Sequence, residues 1–313
     1  MKVFVAGSTG AVGKNLVPHL VEMGHEVVAL ARTPQKGKEV AALGAKAAVA
    51  DALDKDELTA AIRRAVPEVI IHQLTALVGV GNFKKLDDEF ALTNRFRTEV
   101  TDTMLAAARL VGARRFIAQS FCGWPFAREG GPVKTEEDLL DPTPPASFSK
   151  TLAAIRYLEE AVRRATDVGA LALRYGFFYG PGTSIAKGGA IVELIRRHRI
   201  PIVGDGAGIW SFIHIHDVAR ATVAAMSRGA PGIYNVVDDE PAPVSTWLPF
   251  LAGVLGAKPP WKVSVWLGKV AIGDGGVSMM TQIRGGSNAK AKREFGWQPI
   301  YPSWRRGFVE GLG

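Results

Sequence analysis

The sequence predicts an α/β fold built on a doubly wound parallel sheet, followed by a smaller C-terminal lobe. Short apolar runs of strand length alternate with helical patterns from residue 1 to residue 175. This alternation is typical of a parallel sheet that is covered by helices on both faces. Beyond it, prolines and glycines interrupt 176–210 and 229–276. We therefore predict a large domain over 1–175, with a return segment near 211–236, and a smaller lobe over 176–313.

The first predicted strand is a short apolar run that ends at a glycine, as expected of a buried parallel strand. Strands are predicted at Val3–Ala6, Glu26–Leu30, Ala45–Ala50, Val69–His72, Arg115–Ala118 and Leu171–Arg174. Helices are predicted at 11–23, stopped by Gly24, at 55–65, capped by Asp54, at 84–111 and at 150–164. Ligands of such sheets bind beyond the carboxyl ends of the strands, so the cleft between sheet and lobe is the expected site.

Composition excludes several classes of protein. The chain has 313 residues and a formal net charge of +8, but its basic residues are scattered singly or in pairs, so we predict no nucleic-acid partner. No apolar run approaches the roughly 20 residues that span a bilayer, and the N-terminus lacks a signal-peptide pattern. We predict no membrane association. Cys122 is the one cysteine, which excludes an intrachain disulfide and favours a cytoplasmic location.

A glycine-rich loop, Gly7-Ser8-Thr9-Gly10-Ala11-Val12-Gly13, joins the first strand to the first helix. In this context such a loop lets backbone N–H groups and the helix N-terminus approach a pyrophosphate. Gly7 suits the tight turn, Gly10 the close approach of the ligand, and Gly13 the contact between helix and strand. The sequence therefore predicts dinucleotide binding by Gly7, Thr9, Gly10, Ala11, Val12 and Gly13.

The residue after the second strand separates NAD(H) from NADP(H). An acidic residue there would bind the ribose 2′-hydroxyl and repel a 2′-phosphate. The chain instead has Arg32, with Lys36 and Lys38 nearby. A guanidinium can stack on adenine and pair with the phosphate, so NADP(H) is the predicted cofactor and NAD(H) the less favoured one.

Several motifs beyond the loop resemble the extended short-chain dehydrogenase/reductase family, also called the NAD-dependent epimerase/dehydratase family. They are Asp51 with Ala52 after the third strand, Val69–Ala76 at the fourth, Asn94 in the fourth helix, Arg174–Gly182 at the sixth strand, and Gly204–Gly206 with Phe212–Ala219. The resemblance covers nearly the whole chain. It implies a Rossmann-type sheet, a hydrogen bond from Asp51 to adenine, with Ala52 beside it, and a cofactor lined by Leu74 and Thr75.

The resemblance also implies a homodimer. Members of that family commonly pair the helices that correspond here to 84–111 and 150–164 with their copies in a four-helix interface. Ala107, Leu110, Leu158 and Val162 could serve in that interface, or they could face the sheet.

The chain departs from the family at the catalytic positions. Most members use a Tyr-x-x-x-Lys pair, in which the lysine holds the nicotinamide ribose and lowers the pKa of the tyrosine so that it can exchange a proton. Here Lys150 occupies the lysine position, but Ala146 occupies the tyrosine position. The serine or threonine that usually assists is replaced by Phe121, one residue after Ser120.

Three explanations of this departure stay open. Another group could supply the proton. Ser120 and Tyr175 are the first candidates, Tyr179 is a further one, and Tyr157 is the least favoured because it is more remote. Alternatively, the substrate could be so activated that hydride transfer needs no strong acid. Finally, the protein could bind NADP(H) without turnover, as a sensor or scaffold.

We predict an NADP(H)-dependent oxidoreductase or epimerase that transfers a hydride to or from a small organic carbonyl, alcohol or nucleotide sugar. Lys150 would orient the ribose, and the apolar segment 121–126 favours a less polar carbonyl, alcohol or imine. His214, His216 and Asp217 have residue types that bind zinc or iron, but no further ligands cluster with them, and we predict no metal. Cys122 is predicted to be a small residue beside the cleft rather than a nucleophile.

Overall fold

The strands of the protein are short, and only some of them join the central sheet. A computed structural model describes residues 1–77 and 82–313 of the chain. In chain order the strands are β1 (Lys2–Ala6), β2 (Glu26–Ala31), β3 (Lys46–Val49), β4 (Val69–His72), β5 (Arg115–Phe121), β6 (Val133–Lys134), β7 (Ala170–Tyr175), β8 (Phe177–Tyr179), β9 (Ile202–Val203), β10 (Ile209–Trp210), β11 (Phe212–His214), β12 (Gly232–Val236), β13 (Ala242–Pro243), β14 (Lys262–Val263) and β15 (Gly285–Gly286).

The helices occupy both faces of that sheet and much of the C-terminal part. They are α1 (Ala11–Glu22), α2 (Pro34–Ala42), α3 (Lys55–Ala65), α4 (Leu86–Glu89), α5 (Ala91–Arg95), α6 (Thr101–Val111), α7 (Ser149–Arg164), α8 (Ala190–Arg196), α9 (Ile215–Ala225), α10 (Val244–Val254), α11 (Val265–Thr281), α12 (Ala289–Phe295) and α13 (Trp304–Glu310). No helix among the described residues is both long and apolar enough to cross a membrane.

The central sheet has seven strands in the order β12-β7-β5-β4-β1-β2-β3. Every pairing in it is parallel. The chain winds outward in one direction from β1 through β2 to β3 and in the other through β4, β5 and β7. The predicted doubly wound parallel sheet is therefore confirmed, and its switch point lies between β1 and β4, where sheets of this kind bind ligands.

The core is divided by the sheet into two layers. Val3 and Val5 of β1 pack with α1 and α9 on one face, while Phe4 packs with α3 and α6 on the other. This is the alternation expected of a strand that is buried on both sides. A third cluster, around Trp210 and Trp247, forms the core of the C-terminal part. The boundary predicted at residue 175 stays a prediction.

The helix predicted over 84–111 is interrupted. A 3-10 turn at Phe83–Lys85 precedes α4, and the chain widens into a π-turn at Phe96–Val100 before α6 begins. The side chain of His72 forms a hydrogen bond of 3.0 Å with the Phe96 carbonyl oxygen. That bond draws the carbonyl towards the end of β4, at a position where the helix has its wide turn. Periodicity alone does not reveal a bond of this kind.

Candidate active site

The glycine loop is held tightly between β1, α1 and the end of β4. Gly7 has φ +97°, and a methyl group there would lie 2.4 Å from the Gln73 carbonyl oxygen. A methyl group on Gly13 would lie 2.3 Å from the Gly7 carbonyl oxygen and 2.5 Å from the Ser8 backbone. Both clashes involve backbone atoms that have no room to move. Glycine is therefore required at both positions for the loop to fold.

Gly10 differs from these two glycines because nothing crowds it. The atom nearest to a methyl group there would be the Gly7 carbonyl oxygen, at 3.5 Å. Gly10 is the N-cap residue of α1 and provides no side-chain cap, and the first turn of the helix has no acidic residue. The first amides of the helix, including those of Ala11 and Val12, therefore point out without a helical partner. Thr9, next to them, is half-buried. This arrangement fits the pyrophosphate of a dinucleotide.

A cavity of 690 Å³ lies beyond the ends of β2 and β3. Its lining residues are Arg32, Val49, Ala50, Asp51, Asp56, Glu57, Ala60 and Arg64. The Asp51 carboxylate accepts a hydrogen bond of 2.9 Å from the Leu53 amide, which makes it a turn residue as well as a lining residue. Arg32 and Arg64 are exposed, and neither has a carboxylate within ion-pair distance among the residues described. Two arginines therefore border the cavity.

The segment after β4 completes this edge of the sheet. A methyl group on Gly7 would lie 3.0 Å from the Leu74 amide, so this segment and the glycine loop are in contact. Leu74 is half-buried and Thr75 is exposed. Ala52, which follows Asp51 after β3, is half-buried at the same edge. The structure therefore brings the predicted cofactor residues together along the carboxyl ends of β1 to β4.

Aromatic side chains cluster beyond the carboxyl end of β5, where Phe121 and Phe177 are half-buried and Trp124, Phe148 and Trp210 belong to the core of the C-terminal part. Phe121 and Phe177 meet edge to face at 5.1 Å between ring centroids, and Phe177 stacks on Trp210 at 3.8 Å. Trp124 connects Phe121, at 6.3 Å, to Phe148, at 5.0 Å. We call these five residues the aromatic wall. Phe121 stands in the middle of the wall, and Phe148, two residues after Ala146, stands at one end. None of the five side chains has a group that titrates near neutral pH.

The family pattern described as "NAD dependent epimerase/dehydratase family" matches residues 3–236. That match covers most of the chain, including the glycine loop and the aromatic residues Phe121, Trp124, Phe148, Phe177 and Trp210. The chain belongs to this family. Relatives of the chain are named as reductases, dehydratases and epimerases.

A protein of a Streptomyces species, named 3-diazoavenalumate denitrifying reductase, is 40% identical to this chain. The match covers 100% of this chain and 99% of the relative. A ketoreductase of Stigmatella aurantiaca, named for a farnesylated dihydroquinoline oxide, is 28% identical and covers 82% of this chain and 74% of its own. The crystal structure of UDP-glucose 4-epimerase from Thermotoga maritima with UDP-glucose has a TM-score of 0.76 at 22% identity, and covers 100% of this chain and 97% of its own. The last comparison shows the shared fold.

Lys150 and Ala146 lie at the start of α7. Lys150 is exposed, and its backbone amide donates a hydrogen bond of 2.9 Å to Asp87. Ala146 is also exposed, in a 3-10 turn that leads into the helix. Asp87 also accepts bonds from the amide and hydroxyl of Thr151, at 2.8 and 2.7 Å, and so anchors the helix N-terminus. The lysine side chain is thus left available on a fixed helix end.

Ser120 is not placed as a proton donor. Its hydroxyl is buried and donates a hydrogen bond of 2.8 Å to Glu159 of α7. Glu159 also binds Arg174 through two hydrogen bonds of 2.7 and 2.6 Å, in an ion pair that is 1% exposed on each side. Ser120 therefore helps to satisfy a buried charge, and the structure keeps it away from the cleft.

Tyr175 is also part of the interior. Its ring is fully buried in the cluster beneath α1 and α9, and its hydroxyl is bonded to Gln73 at 3.0 Å and Thr222 at 2.7 Å. Burial raises the pKa of Tyr175 to about 12. The prediction that Ser120 or Tyr175 supplies a proton therefore finds no support in their positions, since both hydroxyls have partners in the core.

The remaining tyrosine candidates are no better placed. Tyr179 is fully buried, and burial raises the pKa of its hydroxyl well above the usual range. Tyr157 is exposed on α7, where its hydroxyl donates to Asp102 of α6 at 2.5 Å. That bond ties it to the outer helix rather than to the cleft.

Other groups considered from the sequence have structural partners. His214 caps α9 by accepting from the His216 amide at 3.2 Å, and Asp217 accepts from the amides of Ile300 and Tyr301 at 2.7 and 3.0 Å. Cys122 is fully buried, and burial raises the pKa of its thiol, which keeps it protonated.

The four residues named for a dimer interface also lie differently from that expectation. Ala107, Leu158 and Val162 are buried against the sheet, and Leu110 alone is exposed, at 70%. They are therefore mainly core residues, which was the other position that the sequence left open.

Sequence reasoning missed Arg64 and the partners of Phe121. Arg64 reaches the 690 Å³ cavity from the far end of α3, and its sequence context is an ordinary basic helix end. Phe177 stands in the motif that follows Arg174, but its role depends on Trp210, which comes from a separate strand pair. An excess of aromatic residues in 121–126 was the available signal.

Proposed function

We propose that this protein is an NADP(H)-dependent reductase that removes the diazo group of an aromatic substrate as dinitrogen. The observation that carries the proposal is the aromatic wall, which connects Phe121, where the resemblance implies a catalytic hydroxyl, through Trp124 to Phe148, two residues after Ala146. Such a site suits a reaction that needs hydride but no proton donor. This is the second of the three explanations left open by the sequence.

The proton balance separates the possible substrates. Adding hydride to a carbonyl creates an alkoxide, which a general acid must protonate, and such an acid contributes typically about 10²- to 10⁴-fold to rate. An arenediazonium ion already carries a positive charge. When hydride replaces the diazo group, a C–H bond forms, the C–N bond breaks, and N2 leaves as a neutral molecule. No oxyanion develops and no proton is taken from the protein.

The residues of this chain would bind, orient and exclude water. The glycine loop would hold the pyrophosphate, and Lys150 would hold the nicotinamide ribose, where the reduced cofactor supplies a hydride. The aromatic wall would pack against the substrate ring, and it excludes the water that would otherwise attack a diazonium ion. The cationic diazo group also gains from the aromatic ring faces.

The relative that is 40% identical supports this choice. Its name specifies a diazo compound, a reduction and the loss of nitrogen. Other relatives are named as ketoreductases or act on nucleotide sugars, so carbonyl reduction is the alternative that the experiment must separate.

The test compares substrates under one set of conditions. The purified protein is incubated with NADPH and either an arenediazonium salt or a matched aryl ketone. We expect enzyme-dependent oxidation of NADPH with the diazonium salt, together with the arene and N2 in equal amounts by mass spectrometry. Reduction of the ketone with no enzyme-dependent loss of the diazonium salt would contradict the proposal. A Gly13→Ala variant controls for the uncatalysed reaction.

The choice of NADP(H) rests on Arg32 and Arg64 at the 690 Å³ cavity. A 2′-phosphate between two arginines would gain charge-assisted hydrogen bonds that a ribose hydroxyl cannot make. We expect Arg32→Ala and Arg64→Ala each to weaken NADPH binding by about tenfold and to leave NADH binding unchanged. Equal losses for both cofactors, measured by calorimetry, would remove the case for NADP(H).

A homodimer and a cytoplasmic location remain part of the proposal. The exposed outer surface of α6 and α7, with Leu110 and Tyr157, is where family-type pairing would occur. Light scattering on the purified chain tests the dimer, which a monomeric mass would exclude.

A further inference from the structure

A second cavity contains a cation that has no counter-ion among the residues described. Its volume is 440 Å³, and its lining residues are Ala127, Arg128, Glu129, Leu139, Asp141, Pro142, Thr143, Thr281, Gln282 and Arg284. The lining comes from the segment between β5 and α7 and from the end of α11. The cavity thus shares no lining residue with the 690 Å³ cavity.

The two arginines of this cavity differ in their hydrogen-bond and ion-pair partners. Arg128 is saturated: its Nε lies 2.8 Å from the buried Asp141 carboxylate, and its Nη1 donates to the Gln282 side chain at 2.9 Å. Its other terminal nitrogen donates to the Thr143 carbonyl oxygen. Arg128 and Asp141 therefore neutralise each other and form a fixed part of the wall of the cavity.

Arg284 has no such compensation. One of its terminal nitrogens donates to the Arg128 carbonyl oxygen, and its buried Nε has no hydrogen-bond partner. Among the residues described, no carboxylate lies within ion-pair distance of it, and Glu129, the remaining acid of the cavity, is exposed. A half-buried guanidinium with an unpaired N–H is unfavourable unless an anion completes it.

The backbone of Arg284 lies beside the aromatic wall. A methyl group placed on Gly123 would lie 3.7 Å from the Arg284 carbonyl oxygen, 3.7 Å from the Phe177 ring and 3.9 Å from the Phe121 ring. The backbone of Arg284 and two rings of the wall therefore meet at one point. The Arg284 side chain extends from there to the cavity, so a ligand with a flat ring on Phe121 or Phe177 and an anionic group about one side-chain length away would reach both.

We propose that Arg284 binds the carboxylate of an aromatic acid whose ring packs on the aromatic wall. This inference rests on the proposed function and adds the substrate class, an aryl carboxylic acid with its diazo group on the ring. A carboxylate matches the planar fork of the guanidinium and would pair with its charge through the terminal nitrogens. The Arg128–Asp141 pair would hold the neighbouring wall in place without competing for the anion.

Binding without cofactor tests this inference directly. We use trans-cinnamate and its neutral analogue cinnamamide as probes and measure their affinity for the full chain by calorimetry. We expect cinnamate to bind at least about tenfold more tightly than cinnamamide, as a charge-assisted hydrogen bond implies. Arg284→Gln should remove that preference, Arg284→Lys should restore part of it, and both should leave NADPH binding unchanged. Arg197→Gln, at an exposed arginine after α8, is the matched control.

The outcomes separate this inference from the proposed function. Equal affinity of the acid and the amide for the unmodified protein would overturn the inference, whether or not the variants fold. So would an Arg284→Gln variant that keeps the preference. Acid binding without any diazonium reduction would contradict the proposed function and support the carboxylate site. Equal kcat/KM for a diazonium acid and its amide would contradict the carboxylate site alone.

Discussion

The cofactor side of the cleft is made of backbone, and the substrate side is made of aromatic side chains. On the first side, Gly7 and Gly13 bring main-chain atoms so close that a methyl group fits at neither position. On the second side, the rings of Trp124 and Phe177 pack against Phe121. A pyrophosphate bound on the first side would demand this backbone geometry whatever the substrate. The second side is free to change with the substrate.

This difference shows how one fold can lose its acid groups without losing its ability to react. Hydride transfer depends on how the cofactor and substrate are held, which is a property of both sides. Proton transfer depends on a single titratable group, which only some substrates require. A substrate that leaves as a neutral gas removes that requirement. Under the proposed function, the alanine at the tyrosine position marks a change of substrate rather than a loss of function.

The largest expected effect concerns the backbone side. Gly13→Ala should weaken NADPH binding by at least about 100-fold and lower the free energy of unfolding, because the added methyl overlaps the Gly7 carbonyl oxygen. Gly10→Ala has room for its methyl and should leave unfolding unchanged while weakening NADPH binding by about tenfold. Calorimetry and chemical denaturation measure both. Unchanged NADPH binding in Gly10→Ala would show that the ligand does not approach this glycine.

A tyrosine placed at the exposed position of Ala146 restores the acid of the family. Ala146→Tyr should leave diazonium turnover unchanged or lower it by up to about tenfold, because the reaction does not use the phenol and the added ring crowds the wall. The rate is followed by NADPH absorbance, and mass spectrometry of the protein checks that the new phenol has not coupled with the diazonium salt. An increase in diazonium turnover would mean that a proton donor is missing after all.

Removing the interior hydroxyls tests whether they have any part in the chemistry. Tyr175→Phe and Ser120→Ala should keep kcat within about twofold, whereas a lost general acid would cost about 100-fold or more. Each variant should lose ~1 kcal/mol of unfolding free energy with the hydrogen bonds to Gln73, Thr222 or Glu159. A collapse of kcat in a variant with a normal melting curve would identify that residue as a proton donor.

The smallest effect is on stability alone. Asp238 is 1% exposed, and burial raises the pKa of its carboxyl well above the usual value. A folded-state pKa above the unfolded one means that its contribution is fully present at low pH and is lost as pH rises towards the folded pKa. Asp238→Asn should therefore be more stable than the unmodified protein at pH 8 by ~1–3 kcal/mol, with the difference shrinking on acidification. Denaturation curves at several pH values measure it, and a constant difference would contradict the shifted pKa.

The sequence was sufficient for the fold because its information is local. Strand runs such as Val69–His72, the helix stop at Gly24 and the cap at Asp54 each have a short-range cause, and all are present in the structure. Helix α2 was missed, although Thr33 caps it by accepting from the Lys36 amide at 3.2 Å. Its residues Pro34–Ala42 are mostly polar and give a weak apolar pattern.

Only part of the candidate site could be predicted from the sequence, because the rest depends on contacts between distant residues. The cofactor loop lies within a few residues, but the burial of Tyr175 depends on Thr222 and Gln73, both far away in the sequence. The same holds for Ser120, whose partner Glu159 comes from another element. A candidate proton donor at the end of a strand can face either helix layer or the cleft, and the strand pattern alone does not say which.

Hydride transfer without a proton donor is the central feature of the proposed reaction. The most direct test is the rate of arenediazonium reduction with NADPH and with NADPH deuterated at nicotinamide C4, each measured in H2O and in D2O. We predict a slower reaction with the deuterated cofactor and no change of rate between the two solvents. A slower reaction in D2O, with the unlabelled cofactor, would show that a proton moves in the same step and would contradict the proposed chemistry.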